Sequence, residues 1–219
     1  MTVIKFDVVG IGNAIVDVLS HSEDSFLDQH DLIKGSMTII DSKTAEKLYG
    51  FMKSSIEISG GSAANTIACL AAIGGSGAFV GKVCRDQLGD VFTNDIRRAG
   101  VSYETEPDAD GDPTARCLIY VTPDAERTMQ TFLGACTALN PNDIDEQVIM
   151  SSKVIYLEGY LYDPPQAKAA FIKAAKLAKK ANRKVSLSLS DQFCVDRHRG
   201  AFVDFVYNHV DILFANEDE

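Results

Sequence analysis

Two rhythms of apolar and polar positions run along this chain. Short apolar runs bounded by Gly, Ser, Asn or Asp fall at 6–11, 36–40, 56–59, 115–121, 128–133, 153–157, 185–189 and 211–215, and they predict strands. Other segments repeat their apolar positions every three to four residues. Residues 86–99 place Leu88, Val91, Phe92 and Ile96 on one side, with Gly100 as the stop, which predicts an amphipathic helix. Residues 165–182 carry Ala167, Ala170, Phe171, Ala174, Ala175 and Ala178 in one stripe, with lysines 168, 173, 176, 179 and 180 as a solvated face. Segments 42–53, 65–73 and 202–208 also have helical spacing, and Asn140 with Pro141 forms a cap and first-position pair that opens a helix.

The order of these elements sets the fold class. After residue 140, strands and helices alternate, which requires a parallel sheet with right-handed crossovers. The strands around 16–20, 36–40, 56–59 and 103–121 do not alternate with helices. The reading is one α/β domain over 1–219, a doubly wound and mostly parallel sheet, with a small inserted β layer from segments 16–20, 36–60 and 103–121. Within the last of these, 103–113 is acidic and rich in turn residues.

Composition narrows the function. The chain has 219 residues, 46% apolar and 24% charged, which is enough for one sizeable core and is not the make-up of a disordered chain. A formal net charge of −10 repels phosphate backbones and argues against a nucleic-acid partner. Any phosphate has to be held locally, by backbone N–H groups, a helix N-terminus, a metal or a single arginine. The five cysteines (69, 84, 117, 136 and 194) include no C-x-x-C pair, which argues against a disulfide framework and against zinc. The first residues lack the pattern of a signal peptide, and no apolar run approaches the ~20 residues that span a bilayer. The expectation is a cytoplasmic protein with no membrane partner.

Four places carry candidate chemistry. Gly10-Ile11-Gly12-Asn13-Ala14-Ile15 begins like a dinucleotide fingerprint but has Ile15 where the third glycine is needed, and Asp17 comes too early for the ribose-binding acid. That disfavours a nicotinamide-dependent oxidoreductase. It leaves Asp17 as either a turn residue or a carboxylate aimed at sugar hydroxyls. Gly60-Gly61-Ser62-Ala63-Ala64-Asn65 joins a strand to a helix. It is either an ordinary glycine turn or a place of close ligand approach, with Asn65 as the helix cap. Asp86 is a helix N-cap, and Arg127 is a solvated arginine or a phosphate clamp. Asn216-Glu217-Asp218-Glu219 follows a strand, at the end where open α/β sheets bind ligands, and offers hard oxygen ligands for Mg or a solvated acidic segment. His21, His30, His198 and His209 show no metal spacing and no triad partner.

Taken in order, GIGNAIVD, FLDQHDLIKGSM, GGSAANTI, GKVCRDQLG, DPTARCL, ERTMQTFLGA, NRKVSLSLS and VDILFANEDE resemble the ribokinase, or phosphofructokinase-B, family of carbohydrate kinases, and within it the adenosine kinases. The resemblance covers nearly the whole chain. It implies a ribokinase-like fold whose inserted β layer is a lid over the acceptor, and transfer of the γ-phosphoryl of ATP, with Mg, to a primary hydroxyl. The acceptor it implies is a nucleoside or sugar, adenosine first and ribose or fructose-type sugars next. It implies that Asp17 takes two sugar hydroxyls, that Asn13, Gly60, Gly61 and Asn65 line the sugar pocket, and that Cys117, Tyr160 and Phe193 pack around base or sugar. Arg127 matches an arginine near the transferred phosphate, and Asn216 and Glu219 match an N-x-x-E element for phosphate and Mg. Two positions depart from the pattern: Ser188 stands where adenosine kinases have Asn, and Ile67 breaks the general signature after Asn65. The family's glycine-rich anion hole with its aspartate base is expected beyond Glu219, so the 219 residues alone are expected to be inactive. A non-catalytic nucleoside- or sugar-binding module is the alternative if the chain naturally ends there. The assembly expected is a monomer or homodimer.

Overall fold

Val8 and Val9 are neighbours on one strand, yet each belongs to a different hydrophobic cluster, because successive side chains of a strand point to opposite faces. The computed structural model describes residues 3–52 and 54–219. Its strands are β1 (Phe6–Ile11), β2 (Ile15–His21), β3 (Met37–Ile39), β4 (Ile56–Gly60), β5 (Gly77–Val80), β6 (Ser102–Tyr103), β7 (Ala115–Val121), β8 (Arg127–Phe132), β9 (Ser152–Glu158), β10 (Lys184–Ser188) and β11 (Ile212–Phe214). Its helices are α1 (Asp24–Gln29), α2 (Ser42–Tyr49), α3 (Ser62–Ala72), α4 (Gln87–Arg98), α5 (Glu146–Met150), α6 (Pro165–Lys180) and α7 (Gln192–His209).

The main sheet has the order β11-β10-β9-β1-β5-β6, with every neighbouring pair parallel. Val9 and Ile11 face α6 and α7, whose Phe171, Ala174, Phe202 and Phe205 are buried against them. Val8 belongs to the other face, with Ile67 of α3 and Phe92 of α4. A sheet covered on both faces buries the strands of its centre, which is why 6–11, 153–157 and 185–189 read as short segments rich in apolar residues.

A second sheet of five strands, β3-β8-β7-β2-β4, pairs β2 with β7 and β3 with β8 in parallel, and β2 with β4 and β7 with β8 antiparallel. Val16, Val18, Leu118 and Tyr120 line one face and pack on Leu27 of α1, Leu48 of α2 and Phe92 of α4. The opposite face looks onto the carboxyl ends of β1, β9 and β10.

The expected β layer is corrected in one segment. Residues 102–103 join the main sheet beside β5, not the small one. The Tyr103 ring lies 5.3 Å from that of Phe92 and its hydroxyl donates to the Gly81 carbonyl at 2.9 Å, so the core of the main domain captures it. β8, read as a strand but not assigned to the layer, pairs along β7 and is part of it. The expected helix at 65–73 starts three residues earlier, at Ser62, directly after Gly61 with φ +98°. The expected helix at 202–208 is the second half of α7, which Asp191 caps by accepting from Cys194 N at 2.6 Å. Asn140 and Pro141 open a single 3-10 turn, and the α-helix that follows, α5, is capped by Asp145. The helix expected over 42–53 ends at Tyr49, and Lys53 lies outside the described residues. Asp86 is the N-cap expected of it, accepting from Gly89 N at 2.8 Å.

Candidate functional site

Backbone pairing brings four side chains into one row. Asp17 of β2 sits opposite Cys117 of β7, Cys117 opposite Thr131 of β8, and Thr131 opposite Ile39 of β3. All four line a cavity of about 390 Å³ between the small sheet and the main sheet's strand ends, a size typical of small-ligand sites. Asn13, Gly61 and Ser62 form the end nearest Asp17. The segments after β9 and β10 contribute Tyr160, Asp163 and Asp191, the first turns of α7 add Phe193 and Arg197, and the small sheet and its edge add Met37, Met129 and Leu133.

Asp17 is partly buried, and its carboxylate takes no hydrogen bond from any described residue. Burial in this apolar surround pushes its carboxyl up to about 6. Gly60 makes room for it, and Gly61 makes room for the loop after β1. A Cβ on Gly60 would stand 2.4 Å from Asp17 Oδ2, and one on Gly61 would stand 2.3 Å from the Asn13 carbonyl oxygen. Gly61 also holds φ +98°, a region that L side chains avoid. The sharp turn from β4 into α3 therefore lies directly against the Asp17 carboxylate and the loop after β1.

Glu158 is a site residue that the sequence reading did not single out. It ends β9 and is 1% exposed. Its carboxylate accepts from Asn13 N at 2.6 Å, from Asn13 Nδ2 at 3.1 Å, from Ala63 N at 3.1 Å and from the Ser62 hydroxyl. It thus ties the loop after β1 to the first turn of α3, where a negative charge also complements the helix dipole. Burial raises its carboxyl above the usual range, and the donors from Asn13, Ser62 and Ala63 oppose that rise. Its position was a legible signal: it closes a buried parallel strand at the carboxyl end, where such sheets bind ligands.

Six of the expected site residues meet at the cavity: Asn13, Asp17, Gly61, Cys117, Tyr160 and Phe193. Cys117 is buried, accepts from the Thr131 hydroxyl at 3.4 Å, and has its thiol pushed up to about 11 by burial. Tyr160 and Phe193 are 38% and 74% exposed and form the mouth. Gly60 backs the Asp17 carboxylate without lining the cavity.

Three other expectations fall elsewhere. Asn65 does not cap α3; it is the fourth residue of that helix, is exposed, and does not reach the cavity. The turn is made by Gly61 instead. Arg127 begins β8 opposite Val121, is exposed, and lies four residues along the strand from Thr131, away from the cavity lining. Asn216 and Glu219 follow β11. Asn216 Oδ1 accepts from Asp218 N and Glu219 N at 2.9 and 3.1 Å, and its Nδ2 donates to Glu219 Oε1 at 3.1 Å. The second Glu219 oxygen is open to a hard cation or its water shell. Among the described residues, no group of three or more His, Cys, Asp or Glu is arranged to hold a metal. No helix of the described residues is long and apolar enough to cross a membrane.

Comparison with known proteins places the chain in a family. Guanosine-inosine kinase of Escherichia coli (strain K12) is 28% identical over 97% of this chain and 51% of its own length. A structure of a probable sugar kinase from Rhizobium etli CFN 42 is 50% identical and superposes with a TM-score of 0.88 over 100% of this chain and 66% of that one. A structure of adenosine kinase from Sinorhizobium meliloti is also 50% identical, with a TM-score of 0.87 over 98% of this chain and 66% of that one. The chain thus spans about half the length of the curated relative and about two thirds of the solved structures. Residues 54–219 match the pfkB family carbohydrate kinase pattern, and with that match covering most of its length the chain belongs to the pfkB family of carbohydrate kinases.

Proposed function

We infer that the protein to which this chain belongs transfers the γ-phosphoryl group of ATP to the primary hydroxyl of a nucleoside. One observation carries this reading: Asp17, a carboxylate without a partner among the described residues, stands at one end of a cavity whose other end is largely apolar and aromatic. A buried polar group left unpaired is costly unless a ligand completes it. The two adjacent hydroxyls of a ribose are donors of the required kind. Met37, Ile39, Met129, Leu133, Tyr160 and Phe193 offer far more apolar surface than a free sugar can cover, and a flat base matches it. Four acids, Asp17, Glu158, Asp163 and Asp191, line the cavity against one arginine, which favours an acceptor that is neutral and not already phosphorylated.

The residues present bind and orient. Asp17 accepts the sugar diol, the main-chain turn at Gly60 and Gly61 sets the approach, and Glu158 keeps Asn13 and the start of α3 in place. Positioning is the main work of such a phosphotransferase. ATP supplies the phosphoryl group, with Mg neutralising its charge when bound; Glu219 and Asn216 are the residues that would meet the metal and phosphate. Arg127 acts on the transferred phosphate only if the small sheet swings its hairpin end over the site.

A thermal-shift panel of adenosine, guanosine, inosine, ribose and fructose against the chain tests the acceptor class. Nucleosides are expected to raise the melting temperature at concentrations where ribose and fructose do not. A larger shift with either free sugar contradicts the reading.

A further inference from the structure

The base end of the cavity is not uniformly apolar. Arg197 of α7 lines it, with Asp163 and Asp191 beside it. The Arg197 guanidinium is fixed from behind: Nε donates to Asp163 Oδ1 at 3.2 Å and Nη2 to Asp163 Oδ2 at 3.1 Å. His198 Nε2 meets the same carboxylate at 2.5 Å, so Asp163 is fully engaged. Nη2 also reaches Cys194 Sγ at 3.5 Å, whereas neither N–H of Nη1 meets an acceptor among the described residues. Asp191 Oδ1 caps α7, and its carboxylate also faces the Tyr160 hydroxyl, with acceptor capacity to spare for a ligand donor. Burial first, and then the Asp191 charge, raise the neighbouring Tyr160. The cavity edge therefore offers a donor beside an acceptor, both held by the fold before any ligand arrives.

The strand order places this pair at the correct depth. Asn13 follows β1, whereas Asp191 and Arg197 follow β10, two strands away in the order β10-β9-β1. At about 4.8 Å per strand that separation is roughly 10 Å, comparable to the reach of a ribonucleoside from its sugar diol to the far edge of its base.

We propose that Arg197 and Asp191 read the 6-oxo and N1–H edge of a purine, so that the site prefers hypoxanthine and guanine nucleosides over adenine nucleosides. A 6-oxopurine presents an acceptor, O6, beside a donor, N1–H, which complements a guanidinium beside a carboxylate. Adenine presents the reverse order on that edge: its amino group faces the guanidinium N–H groups and its bare N1 faces the carboxylate. Discrimination of this kind works against the wrong base as well as for the right one, because adenine sets donor against donor and acceptor against acceptor. The inference rests on the nucleoside reading above and sets the base against the adenosine expected from sequence resemblance.

Calorimetric titration of the chain with inosine, guanosine and adenosine decides it. Inosine and guanosine are expected to bind more tightly than adenosine by roughly 5- to 150-fold, the range of one good polar pair. Arg197→Met keeps an apolar stem and removes the donor; it should bring the ratio close to one through weaker binding of inosine. Asp191→Asn retains a good helix N-cap, so it folds where a harsher change would not, and it should reduce the same ratio. Adenosine binding as tightly as inosine, or a ratio unchanged in both variants, overturns the assignment and leaves the nucleoside reading standing. If no nucleoside binds, both readings fall.

Discussion

Replacing Asp17 by Asn removes a charge that no described residue compensates. With its carboxyl raised to about 6 by burial, the folded chain keeps a proton on Asp17 between roughly pH 4 and 6 that the unfolded chain has released. Stability therefore falls as pH rises through that window, and above it the full penalty is present. Moving a carboxyl from its usual value near 4 to about 6 costs the charged form about 3 kcal/mol, which water in the open cavity mouth reduces to about 2 kcal/mol. At pH 7.5 Asp17→Asn should accordingly raise the melting temperature by roughly 4–8 °C for a chain of this size, and at pH 4 the gain should vanish. The same substitution should weaken nucleoside binding by about 1.5–3 kcal/mol, roughly ten- to 150-fold, because hydrogen bonds to a charged acceptor are lost. Scanning calorimetry at both pH values and titration at pH 7.5 give the two numbers. Equal melting temperatures at pH 7.5, or a gain that persists at pH 4, would refute the account of a strained, ligand-seeking carboxylate.

Other changes have equally definite outcomes. Gly60→Ala puts a methyl 2.4 Å from Asp17 Oδ2; it should destabilise the chain by about 1–3 kcal/mol in urea unfolding and impair nucleoside binding as well. Glu158→Gln replaces an all-acceptor group with one that turns an NH₂ toward the donors of Asn13, Ser62 and Ala63. It should lower stability by about 1.5 kcal/mol or more, and protease sensitivity around residue 13 should rise. Asp86→Ala removes the cap of α4 and the partner of both Thr114 N and its hydroxyl, at 2.8 and 2.6 Å; a loss above the ~1 kcal/mol of a simple cap is expected, and Asp86→Asn should recover part of it.

Much of this architecture was legible in the chain because the signals were local. The alanine stripe of α6 and the apolar side of α4 carry the helical period, and the short apolar-rich segments of β1, β9 and β10 between turn residues mark the strands. Asp17 was visible as a carboxylate just past a glycine turn, but its lack of a partner emerges only when β2, β4 and β7 are paired. The first half of α7 was missed because its buried Cys194 and Val195 are separated from Phe202 and Phe205 by a turn carrying Arg197 and His198, and these find their partner, Asp163, more than thirty residues away. Glu158 was missed for a similar reason: its four donors lie 95 residues or more earlier in the chain. Tyr103 was drawn to the wrong sheet because a two-residue strand has no period to read, and ring packing on Phe92 decides its place.

The central claim is that the cavity holds a ribonucleoside by its diol on Asp17, and one comparison addresses it directly: calorimetric titration of the chain with inosine and with 2′,3′-dideoxyinosine, identical in base and differing only in the two hydroxyls. The account predicts one-to-one binding of inosine and a loss of roughly tenfold or more for the dideoxy compound, since two donors to a charged acceptor disappear. Equal affinities would contradict it.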